Sequence, residues 1–167
     1  NPGGHLYYFN YPLEGVAYDA GDPSTFIQVA TTRPETMLGD SGVAVHPENP
    51  TLAHLIGRNA VLPLVGRLIP IVPDAYADPE KGTGAVKITP AHDFNDFEVG
   101  KRHKLAIINM LDAEARILLS DNEEFLEGAS PEPETLALHG LDRFAARRAV
   151  VALMAARGCL AKIEPHA

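Results

Sequence analysis

Two short segments crowd polar side chains where packing alone would not ask for them. The first is Thr31-Thr32-Arg33-Pro34-Glu35-Thr36, directly after an apolar run over residues 26–30. Pro34 biases Arg33 toward an extended backbone. The end of that strand therefore presents Thr31, Thr32, Thr36 and a guanidinium in a compact space. An ordinary polar turn with a solvated arginine accounts for the same pattern. The second segment runs Gly84-Ala85-Val86-Lys87-Ile88-Thr89-Pro90-Ala91-His92-Asp93-Phe94-Asn95-Asp96-Phe97-Glu98. Strand alternation sets Val86 and Ile88 on a core face and Lys87 and Thr89 on the other. Pro90 ends the strand. A helix then starts near Asp93, which serves as N-cap with Asp96 at N3. Lys87, Thr89, Asp93 and Asp96 could thus converge at a strand-to-helix junction. A cation, a hydroxyl and two carboxylates suit a small polar zwitterion: a carboxylate binds an ammonium group, and hydroxyl and amine groups read a ligand hydroxyl. Capping explains Asp93 well and Asp96 in part. It leaves Lys87 with Thr89 unexplained.

Other chemistries fit less well. His46, His92 and His103 are scattered and no zinc-type spacing occurs, so neither a metal nor a cofactor is expected. Cys159 sits after a helix cap in an apolar context, and Ser24 and Ser41 lie in no nucleophile-elbow pattern. The run Lys101-Arg102-His103-Lys104 reads first as cations at a helix C-terminus, and second as a phosphate contact.

The elements that must hold these residues are short. Strands are expected over residues 26–30, 42–45, 61–64, 68–72 and 85–89. Pro63 and Pro70 put at least one of the middle pair at a sheet edge. Residues 73–84 form a turn-rich loop, and 106–110 with 116–119 suggest a hairpin around Asp112-Ala113-Glu114. Residues 120–133, acidic and proline-containing, read as an exposed loop. Phe94 and Phe97 share an apolar face of the first helix. A last helix runs from the Asp142 cap to Gly158, with Phe144, Val151 and Met154 as its buried stripe, and 160–164 closes the chain as a strand. The expected fold is α/β: one compact domain with a β-barrel-like core of short strands and a few peripheral helices.

Composition agrees with one globular domain. The chain has 167 residues, 46% of them apolar, and a single cysteine, which suits a reducing, cytoplasmic setting. No apolar run reaches the roughly 20 residues of a membrane helix. The chain does not begin with Met, which leads us to expect a piece of a longer protein. A net charge of −8 argues against a strong nucleic-acid binder.

The two polar segments resemble the editing motifs of class I aminoacyl-tRNA synthetases. Thr31-Thr32-Arg33-Pro34-Glu35-Thr36 with Met37-Leu38-Gly39-Asp40 is similar to their threonine-rich motif. The run from Lys87 to Glu98 resembles the second motif in its valyl form. Gly140-Leu141-Asp142-Arg143-Phe144 and Lys162-Ile163-Glu164-Pro165-His166 also look valyl, so the resemblance covers nearly the whole chain. The aminoacylation signatures His-Ile-Gly-His and Lys-Met-Ser-Lys-Ser are absent, so neither ATP binding nor tRNA charging is expected of this chain.

The resemblance implies a hydrolase that removes threonine from the 3′ end of mischarged tRNA(Val), acting in cis with the rest of a synthetase. An apolar pocket rejects an isostere with an extra hydroxyl only about 10²-fold, the value established for synthetases choosing valine over threonine. That is only about 2.7 kcal/mol, so a second site that demands the hydroxyl is needed. By resemblance, Asp96 anchors the amino acid through its ammonium group and is a catalytic candidate. Arg33, Lys87 and Thr89 read the threonine end. Thr31, Thr32 and Thr36 line the ester site, and His92 and Asp93 belong to the motif with roles that do not separate. Asp96 or a ribose hydroxyl could orient the water, and Lys87 or backbone amides could stabilise the oxyanion. The alternatives are a domain editing valyl-tRNA(Ile), as in isoleucyl enzymes, and a non-catalytic module that binds the tRNA end.

Overall fold

The structure is a computed structural model that describes residues 4–166. Its frame is two small sheets. Strands β1 (His5–Pro12), β2 (Phe26–Thr31) and β7 (Leu160–Pro165) form the first, in the order β2-β1-β7 and all antiparallel. Strands β3 (Gly42–Val45), β4 (Asn59–Val61), β5 (Leu68–Pro73) and β6 (Ala85–Ile88) form the second, in the order β4-β5-β3-β6. Where the chain runs past β1, a Leu13–Ala60 bridge joins it to β4. At the other end Thr83 Oγ1 donates to the Gln28 carbonyl of β2 at 2.6 Å, just before β6 begins. The circuit β2-β1-β4-β5-β3-β6 is barrel-like without being closed. Its interior holds Phe9, Tyr11, Ile27, Val29, Val43 and Ile69, all 0–1% exposed. Among the described residues no helix is long and apolar enough to cross a membrane.

The central strand β1 is absent from the expected strands. Tyr8, Phe9, Asn10 and Tyr11 are all buried, so both faces are covered and the period-2 polar signal that marks a half-exposed strand is missing. The shorter second strand pair also shifts: β4 ends at Val61, and residues 62–66 turn through left-handed Leu64 and Gly66. It is β4 that lies at the sheet edge.

Two side-chain anchors correct the sequence reading of the helices. Helix α4 (Arg143–Ala156) is capped by Asp142, whose carboxylate accepts from the Phe144 and Ala145 amides. It buries Ala146, Val150 and Met154; Phe144 is 59% exposed and Val151 only half-buried. The stripe is rotated from the expected one because Arg143 and Arg147 both reach Glu35, which is fully buried in the 3₁₀ helix Pro34–Gly39. That ion pair fixes the roll of the helix. In α1 (Phe94–His103) the buried residues are Asp96, Val99 and Gly100, and Phe94 is 81% exposed, so no apolar face is shared with Phe97. A Cβ on Gly100 would fall 2.9 Å from Pro90 Cγ, so only glycine lets the helix lie this close to the end of β6.

Residues 106–119 turn back on themselves through single bridges, Leu111–Ile117 and Arg116–Asp142, with no regular strand. Residues 120–133 run along the surface but are pinned. They include helix α2 (Glu123–Leu126), capped by Asn122, and they lead into α3 (Pro133–Leu136). Phe125 is fully buried, its carbonyl accepts from Arg67, and the Ser130 amide donates to Val65. Phe125→Ala should therefore cost about 3–5 kcal/mol, a drop of roughly 10 °C in melting temperature for a chain this size. Leu126→Ala, one residue on and 37% exposed, should cost under about 1 kcal/mol. Denaturant melts of the two variants decide the matter; equal effects would mean that the segment is not anchored through Phe125.

Candidate functional site

Between the sheets lies a cavity of about 270 Å³, lined by Thr31, Thr32, Arg33, Thr36, Lys87, Thr89, His92, Asp93 and Asp96 together with Leu6, Ala30, Tyr76 and Val86. Every residue singled out from the two sequence segments reaches this one space. β2 delivers Thr31, the 3₁₀ helix delivers Thr36, β6 delivers Lys87 with Thr89 just beyond it, and the first turn of α1 delivers Asp96.

Lys87 and Thr89 face away from Val86 and Ile88, as alternation requires, but their side is not solvent. Lys87 is 7% exposed and Thr89 1%. The Lys87 ammonium donates to Asp40 Oδ1 at 2.8 Å, Thr89 Oγ1 at 2.8 Å and Thr36 Oγ1 at 3.2 Å. Its three protons are thereby engaged. Thr89 Oγ1 donates in turn to Asp40 Oδ1 at 2.6 Å, and Thr36 Oγ1 donates to the Arg33 carbonyl at 2.9 Å. Asp40 is fully buried; its other oxygen accepts from Tyr11 OH at 2.7 Å. Burial pushes the Asp40 carboxyl up, against the pull of Lys87 and the hydrogen bonds, and pushes the Tyr11 phenol well above its usual value. Neither Asp40 nor Tyr11 stood out in the sequence as a site residue. Asp40 closes the quoted threonine-rich segment, and a lysine predicted on the pocket side of a strand needs a buried acid; that is the one signal that could have found it.

Asp96 is held differently. Asp93 Oδ1 accepts its amide at 3.0 Å as the helix cap. Its carboxylate accepts from the Thr89 amide at 2.9 Å and from Tyr76 OH at 3.2 Å. It is 6% exposed and has no cation within ion-pair distance among the described residues. Burial raises its carboxyl above the ordinary range, and the Thr89 amide only partly opposes this. Tyr76 comes from the turn-rich loop and was invisible as a site residue in the sequence. Its phenol is pushed up to about 12, mainly by burial and then by the nearby Asp96 and Asp93 charges.

The other residues shape the rim. Arg33 donates to the His92 carbonyl at 3.0 Å, and its amide donates to Thr31 Oγ1. His92 Nε2 accepts from the Met110 amide at 3.0 Å, which leaves the ring proton on Nδ1. Burial, then the Arg33, Lys87 and Arg143 charges, lower its pKa to about 4, so the ring is neutral at physiological pH. The basic run at the end of α1 is partly consumed by structure. Arg102 grips Asp74 with two hydrogen bonds and His103 adds a third. Asp74 in turn accepts the Tyr76 amide. Among the described residues no cluster of His, Cys, Asp and Glu could hold a metal ion.

The cavity thus has a threonine-rich wall on one side and an acidic helix start on the other. The family model described as "Leucyl-tRNA synthetase, editing domain" matches residues 53–154, and the chain belongs to that family. It is 63% identical over 98% of its length to a valine–tRNA ligase of Mesorhizobium japonicum, and 65% identical over 98% to one of Nitrobacter winogradskyi. It spans only 18% and 17% of those relatives. Solved structures share the fold at low identity. GlLeuRS-CP1 matches with a TM-score of 0.66 and 13% identity, over 98% of this chain and 100% of that one. A LeuRS–tRNA–LeuAMS ternary complex from Agrobacterium radiobacter gives 0.63 and 19%, over 99% of this chain and 20% of that one.

Two stability predictions follow from the geometry. Asp40→Ala leaves the Lys87 ammonium buried without its counter-charge and should cost about 3–5 kcal/mol, read by denaturant unfolding. Asp74, with a folded-state pKa near 2 against an ordinary value of 3.8, contributes stability that is complete above about pH 4 and is lost as pH falls from there toward 2. Solvent screening of the half-exposed Arg102 partner holds the contribution to about 1 kcal/mol. Asp74→Asn should flatten stability over that interval; an unchanged acid limb would show that the clamp contributes nothing.

Proposed function

We propose that this domain hydrolyses the ester joining threonine to the 3′ end of tRNA(Val), releasing threonine and free tRNA. The observation that carries the reading is Asp96, a buried carboxylate in the cavity wall that has donors but no cation among the described residues. Burial makes its ionised form costly until a positive group arrives. The α-ammonium of an aminoacyl ester is such a group, and it would form a charge-assisted hydrogen bond there.

Discrimination follows from committed protons. The hydroxyls of Thr89 and Thr36 each accept from Lys87 and donate onward, so toward a ligand they can only accept. A threonine hydroxyl can donate to them. The methyl of valine cannot, and would leave a desolvated acceptor at a cost of about 1–3 kcal/mol. The cavity, about 270 Å³, suits an aminoacyl group with its ribose and not a duplex.

For the chemistry, water adds to the ester carbonyl, the bond to the ribose oxygen breaks, and that oxygen takes the proton. Positioning supplies most of the rate, because the ester is intrinsically labile. Asp96 fixes the ammonium and, with the neighbouring ribose hydroxyl, orients the water. Lys87 has no free proton for an oxyanion. Its part is to hold the hydroxyl-reading frame, which leaves oxyanion stabilisation to backbone amides of the wall. The chain is acidic overall and covers under a fifth of its relatives, so the remainder of a synthetase in cis supplies most of the tRNA affinity.

Asp96→Ala should abolish release of threonine from threonyl-tRNA(Val), by at least about 10²-fold, with an unchanged circular dichroism spectrum. Thr89→Ala should narrow the preference for threonyl over valyl esters by about tenfold. Undiminished deacylation by the Asp96 variant would falsify the assignment. Equal hydrolysis of valyl-tRNA(Ile) by the unaltered chain would replace the substrate, and no hydrolysis of either would favour a binding module.

A further inference from the structure

Helix α1 is stapled at both ends by one loop. At its last turn Arg102 Nε and Nη2 and His103 Nε2 meet the Asp74 carboxylate at 2.9–3.1 Å. At its first turn Tyr76 OH donates to Asp96 Oδ1 at 3.2 Å. Asp74 and Tyr76 are neighbours in the loop, and the Tyr76 amide donates to Asp74 Oδ1 at 2.9 Å. The next residue, Ala77, is fully buried in the small apolar cluster of Ile88, Val99 and Leu105. Tyr76 is therefore anchored on both sides along the chain, and its side chain lines the cavity beside Asp96.

The Asp96 carboxylate has two donors among the described residues, one on each oxygen. The Thr89 amide on Oδ2 belongs to the same strand-to-helix junction and comes with the local backbone. The Tyr76 phenol on Oδ1 is a side-chain donor and arrives from a different loop. A carboxylate that is 6% exposed has little water to replace a lost donor, and a hydrogen bond to the charged form is what favours ionisation at a buried site. Burial pushes the Asp96 carboxyl up and the Asp93 charge adds to it; the Thr89 amide, the Lys87 charge and the Tyr76 phenol pull it back. Arg33 from the end of β2 and His92 from the junction complete the charged and titratable groups that line the cavity. The phenol is itself pushed up to about 12, chiefly by burial, so it keeps its proton and donates throughout the range in which a carboxyl titrates.

We propose that Tyr76 is a positioning residue for Asp96: its phenol fixes the carboxylate that receives the ammonium group of the ester, and the Asp74 clamp fixes the phenol. The proposal rests on the editing reading for its ligand and adds to it a loop outside the two polar segments. Loss of the phenol leaves Asp96 buried, short of one donor and more readily protonated. A protonated Asp96 has no charge to offer an ammonium group, so the site fails at a higher pH.

The test compares this chain with Tyr76→Phe, which keeps the ring and removes the donor, and with 3-fluorotyrosine at residue 76, a more acidic phenol and a stronger donor. NMR of the aspartate carboxyl carbons, with the Asp96 signal assigned by its loss in Asp96→Asn, reads the titration of Asp96 with no substrate present. It also separates Asp96 from His92, whose burial-lowered pKa of about 4 lies in the same acid range. Tyr76→Phe should move the Asp96 titration up by about half a pH unit or more. The acid limb of kcat/KM for release of threonine from threonyl-tRNA(Val) should move with it, a loss of about threefold at a fixed pH on that limb. The fluorinated chain should move both downward. A tyrosine that only packs the loop would alter the melting temperature and move neither. The proposal is overturned if Asp96 titrates at the same pH in all three chains, or if its titration shifts while the acid limb stays in place. If the titration shifts as stated and the unaltered chain releases no threonine, the positioning role stands and the editing reading fails.

Discussion

The Lys87–Asp40 ion pair holds together the parts that make the cavity. Two opposite charges, 7% and 0% exposed, sit 2.8 Å apart between β6 and the turn leading into β3. Removing either ion from water costs several kcal/mol, and attraction repays this only when the remaining donors and lone pairs are satisfied. Here they are. Lys87 spends its other protons on Thr89 and Thr36, and Asp40 takes further bonds from Thr89 and Tyr11. The network therefore spans β1, the 3₁₀ helix and β6. It also sets the direction of the Thr89 and Thr36 hydroxyls, leaving each able only to accept from a further partner.

Buried charge is used repeatedly in this small domain to fasten loops that have no ladder to hold them. Glu35 draws in Arg143 and Arg147 and fixes the roll of α4. Burial acts to raise its carboxyl, but the hydrogen bonds and charge of Arg147, with those of Arg143, hold it below the usual range. Arg67, 6% exposed, bonds the carbonyls of Leu38, Asp40 and Phe125 and lies 5.4 Å from the Phe125 ring. Without a carboxylate partner its pKa falls to about 10, chiefly through burial. Asp74 ties the end of α1 to the loop that carries Tyr76. These contacts replace regular structure over residues that have little of it.

Against that background Asp96 stands apart. Glu35, Asp40 and Asp74 are buried and each has a cation; Asp96 is buried and among the described residues has none. That contrast is the ground on which Asp96 is proposed to meet a ligand's cation. Stability and function draw on the same residue types, and completeness of pairing tells them apart.

The site was legible in the sequence because it comes from two short contiguous segments. Strand alternation placed Lys87 and Thr89 together, helix capping placed Asp93 and Asp96, and these local rules depend on backbone periodicity alone. The apolar stretches for β2, β3, β5 and β6 were visible for the same reason. What stayed hidden needed contacts between distant segments. Tyr76 meets Asp96 from 20 residues away and Tyr11 meets Asp40 from 29. The buried strand β1 carries no alternation to announce it, and the roll of α4 is set by Glu35, 108 and 112 residues before its partners. The sequence by itself therefore determined which side chains would meet at the strand-to-helix junction, since spacing along one backbone dictates it. Only the tertiary structure decided which of those charges would be neutralised and which left open, because pairing depends on what the rest of the chain brings within about 3 Å.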